Sequence, residues 1–202
     1  MKTGREEFQA ATDVSRETME RLDIYAELLI RWTKRINLVS PNTLPVMWQR
    51  HFLDSAQLLP FCSEKTWVDV GSGGGFPGAV IAILSASTPV VLVESDQRKA
   101  TFLRTVARET GAGFTVHAQR NEHLEPLGAD RLSARALSSL NSLLETAQTH
   151  LAKDGKAIFL KGLAAQDEIN QALEHWSFDC ETYPSKTDAN AVILSIGNIK
   201  RV

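Results

Sequence analysis

The run Val68-Asp69-Val70-Gly71-Ser72-Gly73-Gly74-Gly75-Phe76-Pro77-Gly78 constrains the fold more than any other stretch of the chain. It continues a β-branched segment, Thr66 to Val70, and leads into an apolar stretch, Ala79 to Ala86, of helical character. Strand, glycine turn and helix in that order form a βα unit. Its turn can bring free backbone N–H groups and a helix N-terminus up to a bound ligand. Pro77 suits the first helical turn, where a missing N–H is no loss.

The same alternation continues to the C-terminus. Further strand patterns are Pro89 to Ser95, Phe114 to Gln119, a weaker one at Asp130 to Ala134, Lys156 to Lys161, Phe178 to Tyr183 and Ala191 to Ile196. Helical patterns at Asp96–Thr110, Ser139–Leu151 and Ala164–Trp176 separate most of them. Strands alternating with helices predict an α/β fold with a Rossmann-like, seven-stranded, mostly parallel sheet. The last two strands are joined by a loop and are expected to pair antiparallel. Before Thr66 the character differs. Val14, Met19, Leu22, Tyr25, Leu28, Leu29 and Trp32 recur at spacings of three and four, which predicts an amphipathic helix over 13–36 with Asp13 or Ser15 as its cap. A turn at Ser40-Pro41-Asn42 and a second apolar stretch, Leu44 to Leu59, follow. Residues 1–62 therefore read as an N-terminal helical extension and 63–202 as the main domain.

Composition narrows the function. With 202 residues, 43% hydrophobic and 23% charged, the chain can bury a substantial core, and no apolar run approaches the roughly 20 residues of a membrane span. The first ten residues lack the apolar stretch of a signal peptide, so a cytoplasmic protein is expected. Two widely separated cysteines, Cys62 and Cys180, suggest neither disulfides nor a metal site. A net charge of −2 argues against non-specific coating of nucleic acid, so any RNA partner must meet a local patch. One candidate is the acid-free stretch from Arg31 to His51, which carries Arg31, Lys34, Arg35 and Arg50; a solvated basic helix face is the competing reading.

Two ligands compete for the glycine loop. Gly73-x-Gly75-x-x-Gly78 has dinucleotide spacing, but its first glycine falls three residues beyond Val70. Counting from Gly71 instead puts Phe76 where the third glycine belongs. A carboxylate at Asp69 repels a pyrophosphate and suits the ammonium of a methionine moiety. The loop thus favours S-adenosylmethionine, and with it a class I methyltransferase, over a nicotinamide cofactor. Glu94 closes the second strand, where a carboxylate accepts ribose hydroxyls from either ligand, and Asn121 with Glu122 stand where such sites hold the adenine.

The residues after the fourth strand, Ser133-Ala134-Arg135-Ala136-Leu137, face the methyl acceptor in such folds. They contain no Asn/Asp-Pro-Pro-Tyr/Phe motif of exocyclic amine methylation, and neither cysteine lies where a pyrimidine carbon would need its nucleophile. Arg135 stands where a ribose methyltransferase would want an acid. Guanine N7 is compatible: its lone pair attacks a sulfonium methyl with no proton to remove, and catalysis reduces to positioning. Arg135 can hold guanine or a phosphate bidentately; a structural salt bridge is its rival role.

Taken together, Arg35-Ile36-Asn37-Leu38-Val39-Ser40, His51-Phe52-Leu53-Asp54-Ser55, the Val68–Gly78 loop, Glu94-Ser95 with Arg98-Lys99, Ser133-Ala134-Arg135-Ala136 and Lys161-Gly162 resemble the bacterial ribosomal RNA small subunit methyltransferase G family, also called glucose-inhibited division protein B. The resemblance spans essentially the whole chain. It implies methylation of N7 of one guanine in the decoding-region loop of 16S rRNA, with 16S rRNA or the small ribosomal subunit as partner, no metal, and a monomer. It places cofactor contacts on Gly71, Phe76, Asn121, Glu122 and Arg135, which join Asp69, Gly73 and Glu94 from the loop argument. At Asn121 relatives commonly carry a small apolar residue, which implies an adenine contact by its backbone. The basic stretch, with Lys161, becomes an RNA-facing surface. The alternatives left standing are a non-catalytic S-adenosylmethionine-binding regulator and an NAD-dependent oxidoreductase.

Overall fold

Five strands, each leading into a helical segment, build the parallel part of one seven-stranded sheet of order β3-β2-β1-β4-β5-β7-β6. The computed structural model describes residues 4–135 and 138–202; Ala136 and Leu137 of the expected acceptor-facing run lie outside the described residues. The strands are β1 Trp67–Val70, β2 Val90–Val93, β3 Phe114–His117, β4 Ala129–Arg135, β5 Leu151–Lys161, β6 Trp176–Pro184 and β7 Val192–Arg201. β1 to β5 pair in parallel, whereas β7 runs antiparallel between β5 and β6. The strand order reverses between β1 and β4. Open α/β sheets take their ligands beyond the strand C-termini at such a switch point.

Helices α4 (Gly78–Leu84), α5 (Gln97–Thr110), α6 (Leu140–His150) and α7 (Ala165–Ala172) cover the sheet. α5 shows how locally the sequence sets an element. Asp96 caps it by accepting from the N–H groups of Arg98 (2.8 Å) and Lys99 (3.2 Å), Phe102, Leu103 and Val106 are buried, and Gly111 ends it in the left-handed region at φ 64°.

Of the N-terminal helices, the second packs onto α4 and α5, while the first packs against the turn at 48–53. α1 (Gly4–Thr12), which has no counterpart in the sequence-based expectation, is followed by α2 (Arg16–Thr33), capped by Ser15 through the Thr18 N–H (3.2 Å); Asp13, at φ 48°, breaks the chain between them. α2 is thus shorter at both ends than the expected 13–36. The apolar stretch 44–59 is not one helix. A 3₁₀ turn at Pro41–Val46, which contains Pro45, a π turn at Trp48–Leu53, the short α3 (Asp54–Ala56) and a 3₁₀ turn at Leu59–Phe61 share it. Phe8, Tyr25 and Phe52 from this region join Trp67, Ile81 and Phe102 in a single apolar cluster, while Val68, Leu132, Leu144 and Phe159 belong to a second cluster with α6.

Candidate active site

The glycine loop is held from three sides. From below, Asp69 in the middle of β1 is fully buried; its Oδ1 accepts the Ser133 hydroxyl (2.7 Å) from the register-paired position on β4, and its Oδ2 accepts the Gly78 N–H (3.3 Å). Ser133 in turn accepts from the Trp67 indole N–H (2.8 Å). Burial pushes the Asp69 carboxyl up to about 6, against the pull of these donors. Contrary to the ammonium-binding role expected from sequence, Asp69 lines neither of the cavities described below; it braces the loop.

From the side, Glu94 spans the loop and the next helix. One oxygen accepts the Gly73 N–H and the other the Asp96 N–H, both at 2.8 Å. Each oxygen keeps a second lone pair for a hydroxyl donor.

From above, the N-terminal extension closes on the loop. Tyr25 donates its hydroxyl to the Gly74 carbonyl and stacks on Phe76 (centroids 5.4 Å, 14°). Gly75 has φ 92°, and a Cβ there would collide with the Tyr25 hydroxyl; a Cβ on Gly78 would lie 2.7 Å from Asp69 Cβ. Neither position has room for a side chain.

Two cavities, of about 590 and about 560 Å³, open at the strand C-termini, and Gly71 and Ser138 line both. The larger is walled by Ser40, Thr43, Arg50, His51 and Asp54 of the extension, by Gly71–Gly74 and Phe76 of the loop, by Arg135 and Lys161 from β4 and β5, and by Ser185 and Asp188 from the β6–β7 loop. The smaller lies between Val93 and Ser95 at the end of β2, the segment Gln119–Glu122, and Ser142, Thr146 and His150 of α6. In this second cavity the side chain of Asn121 turns toward α6, donating to Thr146 Oγ1 (3.0 Å), and its carbonyl is 3.1 Å from His150 Nε2.

Arg135 sits at the centre of the larger cavity's wall. Its Nη1 donates to Asp54 Oδ2 (3.3 Å) and to the Arg50 carbonyl (3.1 Å), its Nη2 lies 3.0 Å from His51 Nδ1, and its guanidinium carbon is 5.0 Å from the Phe76 ring centroid. Of the roles weighed from sequence, the salt bridge is present, as a largely covered ion pair with Asp54; the residue also lines the cavity. Asp54 Oδ1 accepts from Gln57 (3.0 Å) and Thr187 (2.8 Å), tying the extension to the β6–β7 loop.

The expected RNA-facing residues divide. Arg31, Lys34 and Arg35 are exposed at the end of α2 and, among the described residues, form no ion pair. Arg50 is exposed, 3.9 Å from Asp188. Lys161 departs from the expectation of a free surface cation: its side chain is only 9% exposed, and its ammonium is held by Glu168 (2.7 Å) and the Ser138 carbonyl (3.0 Å). Glu168 also accepts the Leu140 N–H at the start of α6 (2.7 Å), so the pair anchors the segment beside the cavity.

Sequence reasoning assigned no role to Tyr25, Thr43, His51, Asp54 or Thr187. The signal for one pair was available, since His51 and Asp54 are three residues apart in a helical stretch and so share a face. Among the described residues no group of three His, Cys, Asp or Glu side chains could hold a metal ion, and no helix is long and apolar enough to cross a membrane. Neither cysteine lines either cavity; burial pushes the Cys62 thiol up to about 11.

Comparison with known proteins matches this arrangement to one group. The family model described as rRNA small subunit methyltransferase G aligns with residues 18–192. The ribosomal RNA small subunit methyltransferase G of Paramagnetospirillum magneticum is 48% identical over 200 residues, covering 98% of this chain and 97% of that protein. The protein of the same name from Rhodospirillum centenum is 50% identical over 195 residues, with 96% and 90% covered. Among solved structures, a ribosomal protein L11 methylase from Lactobacillus delbrueckii subsp. bulgaricus superposes with TM-score 0.57 at 18% identity (71% of this chain, 76% of that one). A SAM-dependent methyltransferase from Aquifex aeolicus superposes with TM-score 0.57 at 12% identity (78% and 92%). At these identities the structural likeness speaks to the fold.

Proposed function

The chain belongs to the rRNA small subunit methyltransferase G family, and from that premise we propose that it transfers the methyl group of S-adenosylmethionine to N7 of a guanine in the decoding-region loop of 16S rRNA. The observation that carries this reading is the pair of cavities meeting at Gly71, one bounded by the second strand and the Asn121 segment, the other by Arg135 and the extension. A nucleoside joined to an amino acid spans such a pair, and a base enters the larger, Arg135-lined cavity from outside. When bound, S-adenosylmethionine supplies an electrophilic methyl group on a sulfonium.

The residues of the chain fit that group. Glu94 has lone pairs left for ribose hydroxyls, the Asn121–Glu122 segment edges the cavity that would take the adenine, and Gly71 with Gly73 permits close backbone approach. The chain has no proton to remove from guanine N7, so its task is to orient the base and exclude water. Arg135 supplies fixed donors on the acceptor side, and Phe76 forms an apolar wall beneath them. Arg31, Lys34 and Arg35 offer phosphate contacts at the end of α2. We read residues 1–62 as the acceptor-side extension of a monomeric enzyme that works in the cytoplasm. The relatives reported above are methyltransferases by name, which leaves the oxidoreductase and regulatory alternatives without support.

The test is direct. Purified protein, labelled S-adenosylmethionine and small subunits lacking the modification should yield one labelled guanine that is cleaved by the chemistry specific for N7-methylguanine. Label at an exocyclic amine, a ribose or a pyrimidine, or no label at all, would refute the assignment.

A further inference from the structure

Four residues on the wall of the larger cavity form a hydrogen-bond chain that admits only one direction of proton donation. Thr43 donates its single hydroxyl proton to the Ser40 carbonyl at 2.6 Å. The same oxygen lies 2.8 Å from His51 Nε2, so there it can only accept, and Nε2 must carry the proton. At the other end of the ring, Nδ1 lies 3.0 Å from Nη2 of Arg135, a group that can only donate. Both ends demand the same tautomer. The ring is covered and stacked on Phe76 (centroids 5.0 Å, 27°), which fixes its plane.

Resting on the reading of this cavity as the place of the methyl acceptor, we propose that His51 is a positioning residue for that acceptor. Held as the Nε2–H tautomer by Thr43, it presents Nδ1 as a fixed acceptor that sets the orientation of the Arg135 guanidinium. Asp54 and the Arg50 carbonyl occupy both Nη1 protons. With His51 taking one Nη2 proton, the other Nη2 proton and the Nε proton meet no acceptor among the described residues and are left for an oxygen of the RNA. Burial, with Arg135 and Arg50 close by, lowers the imidazole to about 3, so Nδ1 keeps its lone pair at neutral pH. A ring needed only for packing would not require matched polar partners on both nitrogens.

Isosteric variants separate the two roles of the ring. In His51→Asn the carboxamide oxygen can take the place of Nδ1; in His51→Gln the polar end reaches instead toward the place of Nε2. Both lose the stacking on Phe76 alike. Thr43→Val keeps the shape of residue 43 and removes the oxygen that fixes the tautomer. For 16S rRNA methylation, Thr43→Val and His51→Gln should lower kcat by about 10- to 100-fold, the range for a misplaced positioning group. S-adenosylmethionine affinity should stay within about threefold, and His51→Asn should recover most of the rate. Nitrogen-15 spectra of histidine-labelled protein should show wild-type His51 protonated at Nε2 alone, with the Nδ1–H form entering in Thr43→Val. Equal impairment of the Asn and Gln variants, or a wild-type ring protonated at Nδ1, overturns the proposal alone. A wild-type protein that binds the cofactor but leaves 16S rRNA unmethylated overturns the functional reading beneath it.

Discussion

The hydroxyl of Tyr25 on α2 donates to the carbonyl of Gly74, so the N-terminal extension is bonded directly to the glycine loop it covers. Tyr25 is fully buried, and its hydroxyl is the side-chain partner of the loop carbonyl. Tyr25→Phe should therefore destabilise the protein by about 1–3 kcal/mol, the cost of leaving a buried acceptor unpaired. At roughly 2–4 °C per kcal/mol for a chain of this size, a thermal melt resolves that loss. S-adenosylmethionine binding should weaken several-fold in calorimetric titration, because the loop is no longer held from above. A variant with wild-type melting and affinity would show that α2 merely lies on the loop.

Glu94 carries a second prediction. Its two oxygens accept the Gly73 and Asp96 N–H groups, so the residue holds the empty loop as well as offering lone pairs to a ribose. Glu94→Gln sets an amide NH₂ against one of those backbone donors. The ligand-free protein should lose about 1–3 kcal/mol, and cofactor affinity should fall about tenfold or more. A loss of affinity with an unmoved melt would assign Glu94 to the ligand alone.

What the sequence disclosed and what it hid follow from the range of the interactions. The strand alternation, the glycine turn and the caps at Ser15 and Asp96 are local, with their partners within a few residues, and the sheet with its antiparallel final pair was legible from them. α1 was missed because a single side chain, Phe8, is buried in it, too few to show a period. The stretch 44–59 carries enough apolar residues for one helix, but it is built from 3₁₀, π and α turns in succession, which apolar spacing does not distinguish. Asp69 was singled out for its place at the loop, but nothing in its spacing reveals that register places Ser133 beside it. Contacts such as Arg135 with Asp54 and Thr187 with Asp54 join segments 81 and 133 residues apart, a distance over which periodicity carries no information.

Asp69 should give the protein an unusual pH signature. Burial raises its carboxyl to about 6, above the value near 3.9 of an unfolded chain. Between those values the folded state holds the proton and the unfolded state does not, so the contribution of this group to stability falls as pH rises and levels off above about 6. Asp69→Asn removes the effect. The stability difference, variant minus wild type, should rise by about 2 kcal/mol from pH 4 to pH 6.5 in denaturant titrations. Any fixed cost of the amide facing the Gly78 N–H shifts the whole curve without tilting it. Parallel curves across that range would mean that Asp69 is ionised throughout in the folded protein.

The basic end of α2 is the surface we propose to meet RNA, and that proposal rests on charge alone. Arg31, Lys34 and Arg35 are exposed and, among the described residues, unpaired, in a chain whose net charge is −2. If they touch phosphates, each contact releases a counterion, and the Lys34→Ala, Arg35→Ala double variant should flatten the log–log salt dependence of RNA binding by about one to two units while weakening it. Just beyond them, Leu38 and Val39 pack against the loop at Gly74, so cofactor titration must accompany the measurement. The two side chains point into solvent and line neither cavity, which predicts unchanged S-adenosylmethionine affinity. Weaker RNA binding with a flatter slope and intact cofactor binding identifies phosphate contacts. An unchanged slope and affinity would return this turn of α2 to an ordinary solvated face, and loss of both ligands would show that the charges hold the extension against the loop.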